Sequence, residues 1–244
     1  MKNTAIIIPT RLGAKRFPNK PLAKINNLPM IVHVLNRANE SKVGDVFVAT
    51  PDNEIIDIVN KNGGHSILTT NQPLTGSDRV YEAYIKTLKK KYDLIINLQG
   101  DMPNIKPDSI SKLVEFMKNK QCDIGTLGSV INDNEISDEN IVKVEVSENL
   151  EKNSFIKAKD FFRNKENLNT GKIYHHIGIY AFTNVALTKY VKLSRSKLEI
   201  ERNLEQMRAI ENKMIIKVGL SDSTPLGVDT ENDLKKISTE MSKS

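Results

Sequence analysis

A chain of 244 residues, 39% hydrophobic and 27% charged, carries enough apolar material for a sizeable core, as one large domain or one domain with a lobe. The net charge of +6, from 36 Lys+Arg against 30 Asp+Glu, is spread without a recurring dense basic run, which argues against nucleic acid as a partner. Cys122 is the only cysteine, so a disulfide within the chain and a cysteine-based metal site are both excluded, and a reducing compartment is expected. The opening M-K-N-T-A-I-I-I-P-T-R is too short an apolar run for a signal peptide. No stretch approaches the roughly 20 apolar residues of a membrane span, so a cytoplasmic protein without membrane contact is expected.

In chain order, Ala5–Ile8 reads as a buried strand, and 29–40 as a helix burying Met30, Val34, Leu35 and Ala38. Asp45–Thr50 is a second strand, 55–60 a helix closed by Gly63-Gly64, and His65–Leu68 a short strand. Ser77 is expected to cap a helix running to about Lys90. Leu94–Leu98 is a further strand, and a helix beginning at Asp108 or Ser109 buries Ile110, Leu113, Val114 and Met117. This alternation predicts an α/β protein with a mostly parallel central sheet and helices on both faces. Right-handed crossovers then gather the strand tips on one edge, so Arg11–Lys20, Thr50–Asp52 and Gln99–Asp101 become neighbours.

Beyond residue 120 the pattern changes. Strands are predicted at 124–130, 142–146 and 174–182 without long helices between them, and 154–171 reads as polar and irregular. The whole reads as a single domain, 1–244, with 130–195 as an inserted lobe for sugar binding or dimerisation. A helix over 199–211, a strand over 214–218 and a helix over 231–241 capped by Thr230 complete the chain.

The loop after the first strand holds Arg11, Gly13, Lys15, Arg16 and Lys20, stiffened by Pro18 and Pro21. Fixed positive charge and a glycine allowing close approach suit a polyphosphate. The loop lacks both G-x-x-x-x-G-K-[ST] and G-x-G-x-x-G, which excludes a P-loop and makes a dinucleotide site unlikely on pattern. The strand L-I-I-N-L-Q-G-D delivers Gln99 and Asp101 to the same edge, where a carboxylate can hold magnesium between phosphates. T-G-S-D-R, 75–79, opens a helix whose amides either bind an anion or base edge or are simply capped. Asp229, before a helix cap, is either turn chemistry or the partner of Asp101 at a metal. His175 and His176 alternate across a strand and cannot share one metal. L-E-Q-M-R, 204–208, reads as an amphipathic helix with Leu204 and Met207 buried and Glu201, Glu205 and Arg208 spaced for surface pairs. No nucleophilic triad is present, so phosphoryl chemistry by positioning and charge neutralisation is the expectation.

Taken together, I-I-P-T-R…R-F-P-N-K-P-L, P-M-I-V-H-V-L-N-R-A, V-A-T-P-D, T-G-S-D-R, N-L-Q-G-D, H-I-G-I-Y, L-E-Q-M-R and G-V-D-T-E-N-D-L resemble, in order, the bacterial 3-deoxy-manno-octulosonate (Kdo) cytidylyltransferases. The resemblance implies a GT-A-like, Rossmann-related fold, a homodimer, Mg2+, and transfer of CMP from CTP to Kdo or a Kdo-like acid for lipopolysaccharide or capsule precursors. Lys20, Arg11 and Asp101 match catalytic positions. Arg11, Gly13, Arg16, Lys20, Thr75, Gly76, Ser77 and Arg79 match nucleotide-binding positions. Gln99, His176, Glu205 and Gln206 match sugar-binding ones, and Asp101 and Asp229 match the metal ligands. Four places depart from the family pattern: Met102 for Glu, His175 for Arg, Ile156-Lys157 for Ser-Arg, and Asp160-Phe161 for Ile-Pro. The alternatives are CMP activation of a sialic, pseudaminic or amino-Kdo-type acid, a glycosyltransferase on the same fold, and a non-catalytic nucleotide-binding module.

Overall fold

A computed structural model of the chain describes residues 3–13, 17–88, 91–119, 122–164 and 172–243. The chain divides into two compact units, one of residues 1–111 with 225–244 and one of residues 112–224. The segment 130–195 falls wholly within the second.

The first unit is built on four parallel strands in the order β5-β4-β1-β6: β1 (Thr4–Pro9), β4 (Asp45–Thr50), β5 (His65–Leu68) and β6 (Leu94–Asn97). Every residue of β1, T-A-I-I-I-P, is buried, as a central strand with neighbours on both edges must be. A short hairpin of β2 (Lys24–Ile25) and β3 (Leu28–Pro29) leads into α1 (Met30–Glu40). Helix α2 (Asn53–Lys61) ends at Gly63, whose φ of 75° a side chain would strain. Helix α3 (Gly76–Thr87) starts two residues earlier than a Ser77 cap would allow. Its cap is Thr75, which accepts from the Asp78 amide while Asp78 accepts from the Thr75 amide. Ser77 is turned inward, its hydroxyl accepting from Asn97 Nδ2 at 3.2 Å. Helix α4 (Pro107–Asn119) begins with proline in its first turn and buries Ile110, Leu113, Val114 and Met117 as predicted.

The second unit closes five strands into a ring of pairings: β7 (Ile124–Ser129), β8 (Lys143–Val146), β9 (Phe155–Phe162), β10 (Lys172–Thr183) and β11 (Ile216–Leu220). Closure leaves none of these strands with two open edges. Two short helices, α5 (Asp133–Ile136) and α6 (Asn184–Val191), were not foreseen. Neither was β9, whose 8 residues occupy most of the described part, 154–164, of the stretch expected to be irregular; residues 165–171 of that stretch lie outside the described residues. The reason is a bulge. Asp160 pairs with Glu145 but Ala158 with Val146, so one extra residue breaks the alternation that a strand would otherwise display.

The helix expected over 199–211 is broken into α7 (Lys197–Arg202) and α8 (Met207–Glu211). Asn203 stops the first in the left-handed conformation, φ 52°, ψ 45°, which asparagine tolerates better than most residues. The break turns Arg208 inward. Far from making a surface pair, it is 3% exposed and grips Glu199, itself 1% exposed, through Nε–Oε2 at 2.8 Å and Nη2–Oε1 at 2.7 Å. Arg195 adds a third bond to the Glu199 carboxylate at 3.1 Å. Arg208→Met leaves that buried carboxylate short of its main partner. The variant is expected to lose about 3 kcal/mol of unfolding free energy in urea titration, since stranding one member of a buried pair costs ~3–5 kcal/mol and Arg195 offsets part of it. A loss below about 1 kcal/mol would mean the pair does not secure the α7–α8 junction.

Candidate active site

The site in the first unit starts from hydrophobic packing. Ile25, Met30, Val228 and Ile237 form a buried cluster, and Phe17, Leu226, Leu234 and Met241 pack against it. This cluster draws the first loop, the 225–230 segment and α9 (Glu231–Met241) together. The Val228 amide then donates to the Asp101 carbonyl at 3.0 Å, and the Leu226 amide to Asn104 Oδ1 at 3.0 Å. Asp229 is thereby set beside Asp101 although most of the chain separates them.

Between the two carboxylates lies the Lys20 ammonium, 2.9 Å from Asp101 Oδ2 and 3.2 Å from Asp229 Oδ1. Its side chain is only 15% exposed, against 33% for Asp101 and 49% for Asp229. Burial pulls the proton affinity of Lys20 down, but the charges and hydrogen bonds of Asp101 and then Asp229 outweigh it, and the net shift is upward. Lys20 itself sits on a single 3-10 turn, Lys20–Leu22, between Asn19 at φ 58° and the buried Pro21.

A cleft beside this cluster is lined by Pro9, Thr10, Arg11, Pro73, Leu74, Thr75, Gly76, Arg79 and Gln99. Gly100, next to Gln99, packs closely on the first loop, where a Cβ would stand 3.3 Å from the Pro9 carbonyl oxygen. Arg79 is 4% exposed, and its Nη1 donates to the Thr69 hydroxyl and, at 3.0 Å, to the Thr70 carbonyl. Burial, and next the neighbouring Arg11 guanidinium, lower its proton affinity, so two cations face the same space. Gln99 is oriented by Nε2 donating to Asn97 Oδ1 at 2.8 Å. The capping box of α3 uses the amides of Thr75 and Asp78, which leaves that of Gly76, a residue lining the cleft, without a helical partner.

Five residues expected to bind nucleotide or sugar (Arg11, Thr75, Gly76, Arg79 and Gln99) therefore share one cleft, and the three residues of the ion cluster share another spot in the same unit. Gly13 is different: a Cβ there would meet nothing within 4 Å, so the chain itself does not require a glycine. Arg16 and Lys15 lie outside the described residues. The sequence reading placed Asp52 in the Thr50–Asp52 cluster at the strand tips without giving it a role; its Oδ2 accepts from the Leu12 amide at 2.8 Å. Its signal was the T-P-D step at the tip of β4.

His176, Glu205 and Gln206 belong to the second unit. His176 is 7% exposed and is held among Phe161 and Tyr180, with ring centroids at 5.0 and 5.4 Å. The Thr126 hydroxyl lies 2.7 Å from the Ile179 carbonyl, to which it donates, so it accepts from His176 Nε2–H at 3.0 Å and fixes that tautomer. Burial, then the neighbouring His175, push the imidazole pKa down to about 3. Tyr190 donates its hydroxyl to the Glu205 carbonyl at 2.7 Å. Tyr180, missed by the sequence reading, stands between His176 and Glu205; burial, then the Glu205 charge, raise its pKa.

The family departures each find a partner inside the chain. Met102 is buried at 5% exposure. His175 Nδ1 lies 2.9 Å from Glu135 Oε1, and Asp160 Oδ1 accepts from Arg202 Nη1 at 2.5 Å. Ile156 and Lys157 pair with Val218 and Lys217 in the β9–β11 ladder.

A parallel α/β unit with a cationic loop, a helix entrance and paired carboxylates at its strand tips defines a nucleotidyltransferase. The comparisons agree. A family model described as Cytidylyltransferase matches residues 5–217. The 3-deoxy-manno-octulosonate cytidylyltransferase of Bartonella bacilliformis is 41% identical over 234 residues, 95% of this chain and 96% of that protein. Its counterpart in Brucella canis is 42% identical over 238 residues, 97% and 94% of the two chains. The structure of a CMP:2-keto-3-deoxy-manno-octonic acid synthetase complexed with CTP superposes with a TM-score of 0.88 at 32% identity over 99% of each chain. A cytidylyltransferase from Leptospira borgpetersenii, at 18% identity and TM-score 0.67, shares the fold. The chain belongs to the cytidylyltransferase family, among the 3-deoxy-manno-octulosonate cytidylyltransferases.

The low His176 pKa has a consequence for stability. The unfolded imidazole, with an ordinary pKa near 6.5, binds a proton that the folded one refuses until about pH 3. The unfolded state thus binds more protons in that window, and stability falls as pH drops through it. The slope from this residue reaches about 1.4 kcal/mol per pH unit at its steepest. Urea unfolding of the native chain and of His176→Phe between pH 7 and pH 4 is expected to show a shallower acid loss in the variant. Parallel curves would mean that the imidazole is charged when folded.

Proposed function

We propose that the protein transfers CMP from CTP to Kdo or a Kdo-like 3-deoxy-ulosonic acid, releasing pyrophosphate. The observation that carries this is the convergence of Lys20, Asp101 and Asp229 next to the cleft of Arg11 and Arg79. The anomeric hydroxyl oxygen of the sugar acid attacks the α-phosphorus of CTP, the bond to the bridging oxygen breaks, and that oxygen leaves with pyrophosphate while the hydroxyl proton passes to solvent or to the released phosphate. Arg11 and Lys20 offer fixed positive charge to the phosphate oxygens, where charge is redistributed in the transition state. The Gly76 amide and the anchored Arg79 are proposed to recognise the base edge of a cytosine, as the resemblance also implies for Thr75 and Ser77. Gln99 is proposed for the sugar acid; His176, Glu205 and Gln206, matched to sugar-binding positions by the resemblance, lie in the second unit. His176, neutral and donating to Thr126, retains only Nδ1 as an acceptor, so its contact would be with a sugar hydroxyl rather than the carboxylate.

Two carboxylates close enough to share one ammonium present the hard oxygen donors that Mg2+ takes, with substrate phosphates supplying the rest. Asp101 and Asp229 are therefore proposed to hold it, and Mg2+ there would neutralise charge between the phosphates and the leaving group. The proposal also includes a homodimer in the cytoplasm, working in lipopolysaccharide or capsule precursor synthesis. No helix among the described residues is long and apolar enough to cross a membrane.

Mixing the protein with CTP, Mg2+ and Kdo is expected to release pyrophosphate, and UTP to be a much poorer donor. Equal release from both nucleotides would remove the assigned base recognition. Asp101→Asn should cut kcat by about a hundredfold or more, the scale of losing a group that stabilises transition-state charge, while circular dichroism stays native. A near-native rate in that variant would take the metal role from Asp101.

A further inference from the structure

We propose that Asp52 is the positioning residue of the first loop: its carboxylate holds Leu12 and, through Leu12, sets Arg11 and Lys20 where the triphosphate meets them. This deepens the cytidylyltransferase reading and rests on it for the identity of the ligand.

Asp52 occupies the position before α2 where an aspartate ordinarily caps its own helix. Its side chain makes no such bond. The backbone alone is tied to the helix start, the Asp52 carbonyl accepting from the amides of Ile55 and Ile56 at 3.1 and 3.2 Å and the Asp52 amide donating to Thr50 Oγ1 at 3.2 Å. The residue is thus seated on the tip of β4 and the first turn of α2, while its carboxylate is spent elsewhere. Oδ2 reaches across to the Leu12 amide, forty residues away in sequence, at 2.8 Å. A carboxylate accepting from a backbone amide is a charge-assisted bond, among the stronger kinds.

Leu12 passes the constraint in both directions. On one side it is bonded to Arg11, whose guanidinium lines the cleft. On the other, its carbonyl accepts from the Asn19 amide at 3.1 Å. Asn19 is left-handed at φ 58° and directly precedes Lys20, whose ammonium meets Asp101 and Asp229. One chain of contacts, Asp52 to Leu12 to Asn19, therefore fixes both ends of the cationic loop to the sheet. The Asp52 charge also acts on Arg79, supporting its protonation where Arg11 opposes it. A helix cap would explain none of this, because the cap is not made. The tether's work is preorganisation: without it the loop must be ordered by the nucleotide itself, and affinity falls by what that ordering costs.

The test uses the full chain as native protein, Asp52→Ala and Asp52→Asn. The amide oxygen of Asp52→Asn can still accept from Leu12, so this variant is the conservative rescue. Steady-state pyrophosphate release at saturating Kdo and Mg2+, calorimetric binding of CTP, thermal unfolding, and hydrogen exchange at the Leu12 and Asn19 amides are measured on all three. The expected result is that Asp52→Ala raises the KM and Kd for CTP about tenfold or more, the scale of one charge-assisted hydrogen bond. Its kcat stays within about threefold, its Tm within a few degrees, and both amides exchange faster. Asp52→Asn stays within about threefold of native in all of these. The proposal is overturned if Asp52→Ala binds CTP as the native protein does. It is equally overturned if Asp52→Ala loses kcat and Tm together at unchanged CTP affinity, which would mark a structural role, or if Asp52→Asn is as impaired as Asp52→Ala. Should the native protein neither bind CTP nor release pyrophosphate, it is the functional reading that fails. The tether is then decided by exchange alone: unchanged rates at Leu12 and Asn19 in Asp52→Ala refute it, and accelerated rates sustain it.

Discussion

Two like-charged carboxylates within reach of one ammonium are the constraint around which the first unit is arranged. Asp101 and Asp229 repel each other unless something positive lies between them, and Lys20 supplies it at 2.9 and 3.2 Å. Three segments remote in sequence are committed to one place by that requirement. The hydrophobic cluster of Ile25, Met30, Val228 and Ile237 brings them there, since ion pairs this exposed contribute little to stability by themselves. Packing provides the energy and charge provides the register. The result is a local excess of one negative charge in the same unit as a cleft that carries two positive ones.

In the second unit two buried ionisable groups are handled differently from the ion cluster of the first. Glu199 is paired with Arg208 in the interior, and His176 is stripped of its charge by burial. A buried pair of this kind fixes geometry more than it stabilises, because desolvation consumes much of the attraction. Here it fixes the turn at Asn203 and hence the placement of Glu205 and Gln206, which lie between that turn and α8.

How much of this could be read from residues alone depended on the range of the forces involved. The strands of the first unit were legible because each is a short apolar run ended by turn residues, and 45–50 and 65–68 fall where the pattern put them. Helix 231–241, with Thr230 and Asp233 reciprocally bonded, was equally local. What failed was non-local. The bulge in β9 scrambles the alternation from within a pairing that only the fold makes. Arg208 sits at helical spacing from acidic neighbours and so mimics a surface residue, until Asn203 rotates it inward. Of the candidate site, Arg11, Lys20, Asp101 and Arg79 were visible as charge at strand tips and a helix entrance. Asp229 stayed ambiguous, because nothing in its own neighbourhood distinguishes a turn aspartate from a ligand. Asp52 was legible as part of a polar cluster at a strand tip but not as a tether, because its partner, the Leu12 amide, lies forty residues away.

The chain leaves the first unit at residue 111, completes the second, and only then returns with Pro225 onward. A ribosome therefore completes the second unit before it delivers Asp229, and domains fold broadly in the order they emerge. Until that stretch arrives, Lys20 has one acidic neighbour instead of two, and Ile25 and Met30 lack the apolar side chains of Val228 and Ile237 to cover them. The ion cluster of the first unit therefore cannot close until the segment after Pro225 has been made, however early Lys20 and Asp101 are synthesised.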